Sequence, residues 1–366
     1  ATASGKPTAE AHREIKSLVA KHEGDAGLIS TAGAYLASTG DPDAGRALLE
    51  RSIQLQPKLL DARMILARLE AAARNLGAAE RHLLDIIKID SRYPSARVGL
   101  AELALAAGDR ARSRTLLEEA ISADPSAVEP RLRLAKLAFT EGDAARARSL
   151  LDQAVSVSKD RKIVFSAAGK VLAQAGLTDE AFAKLREAAA AGHADAALET
   201  AQLHLDLDQR KQAREVIEAV LLEKPDWREA QSMLVMLDAQ DGQVARAISR
   251  AKSLASAASP AEIRVMEGDL YALAGQSDAA IEAYEDAHRQ RPSAAIAIKI
   301  FDIRRVSGAA PAERSLTQWL QRFPADAEVR RVLAAYYEST GQGERALSEY
   351  ERLLAADHID PAMLNN

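Results

Sequence analysis

Apolar side chains recur along this chain in steps of three and four, and the pattern itself recurs. Leu132, Leu134, Ala135, Leu137 and Ala138 precede a polar turn, Glu141-Gly142-Asp143, and Ala147, Leu150, Leu151 and Ala154 follow it. That spacing puts each set on one face of a 3.6-residue helix, so the segment predicts two helices joined by a tight turn. The stretch LAELALAAGDRARSRTLLEEA, residues 100–120, returns 34 residues later as LAKLAFTEGDAARARSLLDQA, with 12 of 21 positions identical. A single hairpin cannot bury its apolar face alone, so tandem copies predict a stack in which each unit covers the next.

The turn between the two helices of each unit, helix A and helix B, can be marked at Gly40, Asn75, Gly108, Gly142, Gly176, Asp208, Gly242, Gly275, Gly308 and Gly341, ten units spaced 32 to 35 residues apart. About seven residues before the turn stand Gly33, Ala101, Ala135, Gly169, Ala201, Gly268 and Ala334. Five after it stand Gly45, Ser113, Ala147, Ala181, Ala213, Ala247, Ala280 and Ala346. Side chains this small let two helix axes approach closely, so these positions are predicted to be where helix A meets helix B. Pro57, Pro125, Pro225, Pro292 and Pro324 close their units, because a missing N–H and a fixed φ end helix B.

A helical pair of about 34 residues with small residues at those two places and a closing proline resembles the tetratricopeptide repeat, TPR. EGDLYALAGQSDAAIEAYEDAHRQRP (267–292) and LAAYYESTGQGERALSEYERLLAADHIDP (333–361) carry it best. The resemblance covers about residues 25 to 360 and implies an all-α fold, a right-handed TPR superhelix (α-solenoid) of about ten helical hairpins. Two departures stand out. The ninth unit has Phe301 and Glu313 where small residues are expected, which predicts loose packing or a bend, and the second unit, RNLGAAERHLLDIIKIDSRYP, has an irregular turn.

The expected organisation is a disordered leader over 1–8, a lone helix of a truncated repeat over 9–24, ten tandem units over 25–360, and the start of a truncated next repeat over 361–366. Neither end offers a convincing polar cap for the stack, so the chain is expected to be part of a longer array.

Composition narrows the function classes. Of 366 residues, 48% are hydrophobic but only 4% aromatic, so the apolar mass lies in small and straight-chain helix formers. Lys and Arg number 48 against 53 Asp and Glu, a balance that lacks the basic stripe of a nucleic-acid protein. There is no cysteine, hence no disulfide or thiolate metal site. No apolar run is long enough to span a bilayer, and ATASGKPTAE has no apolar signal core.

Candidate chemistry is sparse. The seven histidines, His12, His22, His82, His193, His204, His288 and His358, include no pair three or four apart, so no helix face offers two metal ligands. GQGERA (341–346) matches a dinucleotide fingerprint in letters only, since the end of a helix A precedes it instead of a strand. We therefore expect no enzyme, no cofactor and no metal. Arg110, Arg112, Arg114, Arg146 and Arg148 alternate with Glu118, Glu119 and Asp152, which reads as solvated helix B faces with i,i+4 pairs.

Partner binding is expected on the concave face lined by the A helices. Counting from the small residue before the turn, the next position and the one three further on read Glu102 and Leu105, Lys136 and Phe139, Lys170 and Ala173, Gln202 and Leu205, Met236 and Ala239, Asp269 and Ala272, Asp302 and Arg305. Of these, Glu102, Lys136, Phe139, Lys170, Gln202, Met236, Asp269, Asp302 and Arg305 are the candidate contact residues, although Phe139 and Met236 read more simply as packing between neighbouring A helices. TPR proteins that grip a peptide's terminal carboxylate use Lys, Asn and Arg on successive A helices. Here Lys136 and Lys170 are followed by Gln202, with no groove Asn, so that clamp is not reproduced.

The final segments PSAAIAIKIFDIRRVSG (292–308), LTQWLQRFPADAEVRRVLAAYYESTG (316–341) and the closing LNN resemble bacterial TPR lipoproteins of exopolysaccharide and exosortase (PEP-CTERM) systems. That resemblance implies a periplasmic, lipid-anchored scaffold, its anchor outside this chain, with components of polysaccharide synthesis, export or sorting as partners and no nucleic acid. Two other readings remain open at the level of sequence: a cytoplasmic TPR adaptor or regulatory subunit, and the TPR portion of a larger enzyme such as a glycosyltransferase.

Overall fold

The computed structural model describes residues 8–255, 258–309 and 311–355, and the described residues form 21 helices and no strand. α1 (Thr8–Lys21) stands alone. Five hairpins follow: α2 and α3 (Ala26–Ser38, Pro42–Leu55), α4 and α5 (Leu60–Ala72, Leu76–Ile89), α6 and α7 (Pro94–Ala106, Arg110–Ala123), α8 and α9 (Glu129–Thr140, Ala144–Val157), and α10 and α11 (Arg161–Gln174, Thr178–Ala190). The remaining five are α12 and α13 (Ala196–Asp206, Arg210–Glu223), α14 and α15 (Arg228–Gln240, Val244–Leu254), α16 and α17 (Pro260–Leu273, Ser277–Gln290), α18 and α19 (Ala294–Ser307, Arg314–Arg322), and α20 and α21 (Ala327–Ser339, Gly343–Ala355). This is an all-α solenoid. The chain divides into two compact units, one ending at Glu199 and the other beginning at Thr200. The expected leader falls almost wholly outside the described residues, as do the end of the tenth hairpin and the start of a further repeat at 361–366.

The turns follow from their residues. Gly40, Gly108, Gly142, Gly176, Gly242, Gly275, Gly308 and Gly341 all have φ between +72° and +98°, the left-handed conformation that ends helix A without steric cost. Where Asp comes next it caps helix B: Asp41, Asp109 and Asp143 accept hydrogen bonds from the backbone N–H of Ala44, Arg112 and Arg146. In the second hairpin the left-handed residue is Arg74, at φ 64°, and not the Asn75 that the sequence marks. Arg74 lies 34 residues from both Gly40 and Gly108, so the period is more regular than the glycines alone suggest. An L-residue there costs about 1 to 2 kcal/mol.

Proline acts just beyond the helices it closes. α3, α7, α13, α17 and α19 end two residues before Pro57, Pro125, Pro225, Pro292 and Pro324. The residue preceding each proline has ψ between 72° and 96°, driven out of the helical region by the pyrrolidine ring.

Small residues mark the crossing of each pair. Ala101, Ala135, Ala201 and Ala334 on A helices are no more than 1% exposed, as are Ala147, Ala181, Ala213, Ala247 and Ala280 on B helices. In the first hairpin backbone meets backbone: a Cβ on Gly45 would lie 2.7 Å from the Ala37 N and Cβ and from the Gly33 carbonyl oxygen. Gly45→Ala should therefore cost about 1 to 3 kcal/mol, although Gly to Ala inside a helix ordinarily gains about 0.5 to 1 kcal/mol. Gly77→Ala on α5, where the nearest atom is Arg81 Nη1 at 3.9 Å, should show the ordinary gain. Urea unfolding of the two variants checks this, and shifts of equal sign would refute the assigned crossing.

The ninth hairpin is not loose. Phe301 is buried, stacks edge-on against Tyr336 with ring centroids 5.1 Å apart, and joins Ala312, Leu316, Trp319 and Leu333 in one core. The small residues have moved: Ser315 donates to the Ala297 carbonyl oxygen at 2.8 Å, which places the close approach one turn earlier on α18 and two residues later on α19. α19 is correspondingly short, nine residues against 13 or 14 in most neighbours.

Candidate protein-binding face

On the A helices, the residue after each small position points away from helix B. Glu102, Lys136 and Lys170 in the first unit are exposed, as are Gln202, Met236 and Asp269 in the second. Phe139 and Asp302 are half-buried and Arg305 is exposed. Met236 keeps 46% of its surface exposed. Ala239 is fully buried and faces the core of its hairpin, which removes it from this face.

Most of the charges on this face are engaged along the stack. Arg133 on α8 reaches Glu102 on α6 at 3.0 Å, and Lys170 on α10 reaches Glu199 on α12 at 2.7 Å. In the second unit Lys299 on α18 reaches Asp269 on α16 at 2.6 Å, and the buried Tyr284 hydroxyl donates to the same carboxylate. Burial and that acceptor together push the Tyr284 phenol well above its usual range. Asp302 sits 3.8 Å from Arg305 on its own helix, and Gln202 donates to Asp206. Lys136 alone among the candidate cations has no ion pair among the described residues. Seven of the nine positions are exposed, Phe139 and Asp302 being half-buried; the sequence gives no sign that neighbouring hairpins neutralise several of the charges in pairs.

Of the arginines picked out on the B helices, Arg112, Arg114, Arg146 and Arg148 also pair between hairpins and not four residues along their own helix. Arg114 meets Glu141 at 2.6 Å, Arg148 meets Glu180 at 2.7 Å, and Arg146 meets Glu118. Stacking brings carboxylates of the adjacent unit closer than the helix's own next turn. These exposed pairs contribute little individually, because solvent screens them and two long side chains must be held in one geometry.

Two deeper pairs occupy one repeat position, three residues after the small position of helix A. There Glu70 accepts from Arg46 Nε at 2.7 Å and Asp238 from Arg214 Nη1 at 2.7 Å, both carboxylates being buried. Other units place Ala104, Ala138 or Leu172 at this position. Arg46 and Arg214 both follow the small residue of the preceding helix B, so an acid at one position matched by an arginine at the other is a signal in the sequence.

Glu70, Glu199 and Glu267 have lowered pKa values. Burial pushes each carboxyl up, but hydrogen bonds from Asn75 and Arg46, from Lys170 and Ser166, and from Lys252 and Arg264 outweigh it. A carboxylate held below its unfolded value stabilises the fold above that value, about pH 4.3 for Glu, and the contribution is lost as pH falls through the folded pKa. The thermal midpoint should therefore hold from neutral pH to about pH 5 and then fall. Replacing Glu267 by Gln should lower the plateau and flatten the fall; an unchanged acid limb would sink the assignment.

Among the described residues no group of three His, Cys, Asp or Glu side chains converges as metal ligands. No described helix is long and apolar enough to cross a membrane. The second hairpin also hides one position of the row: with the turn at Arg74 the small residue is Ala67, 3% exposed, and Arg68 after it is exposed on the same face as Glu102. Marking the turn at Asn75 displaces that position by one residue.

The geometry agrees with comparisons to known proteins. Tetratricopeptide repeat models match residues 31–94, 104–169, 172–237 and 261–293, together more than half of the chain. Yeast Tom70 is similar to it in structure, with a TM-score of 0.54 and 18% identity, over 80% of this chain and 62% of Tom70. TTC0263, a thermophilic TPR protein of Thermus thermophilus, shares 21% identity at a TM-score of 0.40, over 52% of this chain and 98% of TTC0263. The chain thus spans less than two thirds of the Tom70 structure. No curated protein sequence matches it. The repeats, their helical pairs and their small-residue crossings place this chain in the tetratricopeptide repeat family.

Proposed function

We propose that this chain is a non-catalytic scaffold that holds protein or peptide partners on its A-helix face, and that it serves bacterial exopolysaccharide production or exosortase-linked sorting in the periplasm. The observation that carries the scaffold is the row of exposed A-helix positions. Packing of the hairpins consumes the other faces of these helices, yet leaves Lys136, Met236 and Arg305 outward. The pathway rests on the resemblance of residues 292–308 and 316–341 to TPR lipoproteins of those systems.

The test is affinity capture from separate periplasmic and cytoplasmic extracts of the native host, with unaltered bait beside bait carrying Lys136→Glu and Arg305→Glu. Lys170 is left alone because it holds Glu199. Envelope polysaccharide or sorting proteins that are captured by the unaltered bait and lost with the double variant are the expected result. Cytoplasmic partners alone would refute the periplasmic role, and partners indifferent to both substitutions would refute the A-helix face.

A further inference from the structure

The A-helix face of the first unit carries a recess of about 470 Å³ between α4, α6 and α8. Its floor is apolar, with Met64, Leu83, Gly99 and Leu103 among the lining residues, and its rim is charged. On one wall stand Arg68 and Arg74, and on the other Glu102, Glu129 and Arg133. Arg133 lies 3.0 Å from Glu102 and 3.5 Å from Glu129, so both acids already have a partner. Neither the Arg68 nor the Arg74 guanidinium makes an ion pair or hydrogen bond among the described residues. The two acids share that single guanidinium, so their wall keeps one formal negative charge, whereas Arg68 and Arg74 opposite carry two positive charges that no acid meets, and the lining as a whole, three arginines against two glutamates, is net positive by one.

Arg74 holds the turn position that glycine fills in eight of the ten hairpins, and it is left-handed there. Backbone strain of this kind clusters at ligand sites, where the side chain has a use that outweighs its conformational cost. Here the strained residue is also the one that brings a second unpaired guanidinium to the recess.

We propose that the recess binds an acidic peptide segment: an Asp or Glu side chain held by Arg68 and Arg74, beside an apolar side chain seated on the floor. The volume admits one or two side chains, and an apolar floor with a few convergent polar groups is the usual make-up of such a site. Two guanidinium forks match one carboxylate better than the ammonium groups elsewhere on the face. This assignment rests on the reading of the A-helix face as the partner-binding surface and adds the chemistry of one segment of the partner.

The probe is an immobilised octapeptide library with Asp, Glu, Asn, Gln, Lys and Leu randomised at four central positions, incubated with the whole chain. The chain should retain peptides pairing Asp or Glu with Leu about tenfold better than their Asn and Gln isosteres, the scale of a charge-assisted hydrogen bond. Arg74→Gly removes the guanidinium and relieves the left-handed strain, so it should keep or raise the thermal midpoint while losing most of that preference. Arg68→Glu, at an exposed position, should turn the preference toward Lys. Equal retention of acids and amides, or an acid preference untouched by both variants, overturns the proposal. Peptides retained without acid preference would overturn this assignment alone, whereas the scaffold reading stands or falls with the capture experiment and its Lys136 and Arg305 variants.

Discussion

Ala147→Trp should destabilise the first unit by about 3 kcal/mol or more. Ala147 is fully buried on α9, opposite Ala135 on α8, which is equally buried, and the pair repeats the 12-residue spacing of Gly33 and Gly45. In the first hairpin that spacing brings the backbones so close that a Cβ on Gly33 would fall 2.9 Å from the Gly45 carbonyl oxygen. An indole cannot enter such a crossing without driving α8 and α9 apart. Because hairpins in a stack support only their neighbours, separation at the fourth one should also divide the cooperative unfolding of that unit. Urea denaturation followed by circular dichroism should show a lower midpoint and a broadened or split transition. Ala145→Trp, two residues earlier and exposed, should stay within about 0.5 kcal/mol of the parent. Equal behaviour of the two variants would show that the A and B helices do not cross at position 147.

Asp238→Ala should cost about 3 kcal/mol in the second unit. The carboxylate is fully buried on α14 and lies 2.7 Å from Arg214 Nη1, 3.5 Å from Arg250 Nε and 3.6 Å from Arg246 Nε. Its removal leaves guanidiniums near the core without their shared anion, which costs more than the pair itself contributes. Arg214 retains Asp241 at 2.9 Å and is partly exposed, and that keeps the loss at the lower end of the range for broken buried pairs. A double-mutant cycle with Arg214→Ala separates charge pairing from packing: a coupling above about 1 kcal/mol is expected. Additive losses would mean that Asp238 matters only for the volume it fills. The effect should persist in about 1 M salt, because a buried pair is poorly screened.

The row of exposed A-helix residues was legible because it depends on short-range geometry. A small residue seven positions before the turn faces helix B, so the next residue, about 100° around the axis, must face elsewhere, and Glu102, Lys136 and Lys170 do so. Arg68 was missed for a single reason. In the second hairpin Arg74 replaces glycine at the left-handed position, and composition gives no hint that an arginine will adopt it. The ion pairs were misread for another: Arg146 and Arg148 have acids within reach along the sequence, but the acids of the adjacent hairpin, unseen in one-dimensional spacing, lie closer.

What the sequence alone determined is the unit: two amphipathic helices, a glycine turn, small residues at the crossing, and its repetition about every 34 residues. Each of these is fixed by local backbone preference and by which face of a helix is apolar, and neither depends on distant residues. What only the tertiary structure decided is what lies between units. The recess over α4, α6 and α8, the neutralisation of Glu102 by Arg133 and of Lys170 by Glu199, and the displaced crossing of the ninth hairpin arise when one hairpin packs on the next. Side-chain reach across that interface, and not spacing along the chain, then selects the partner.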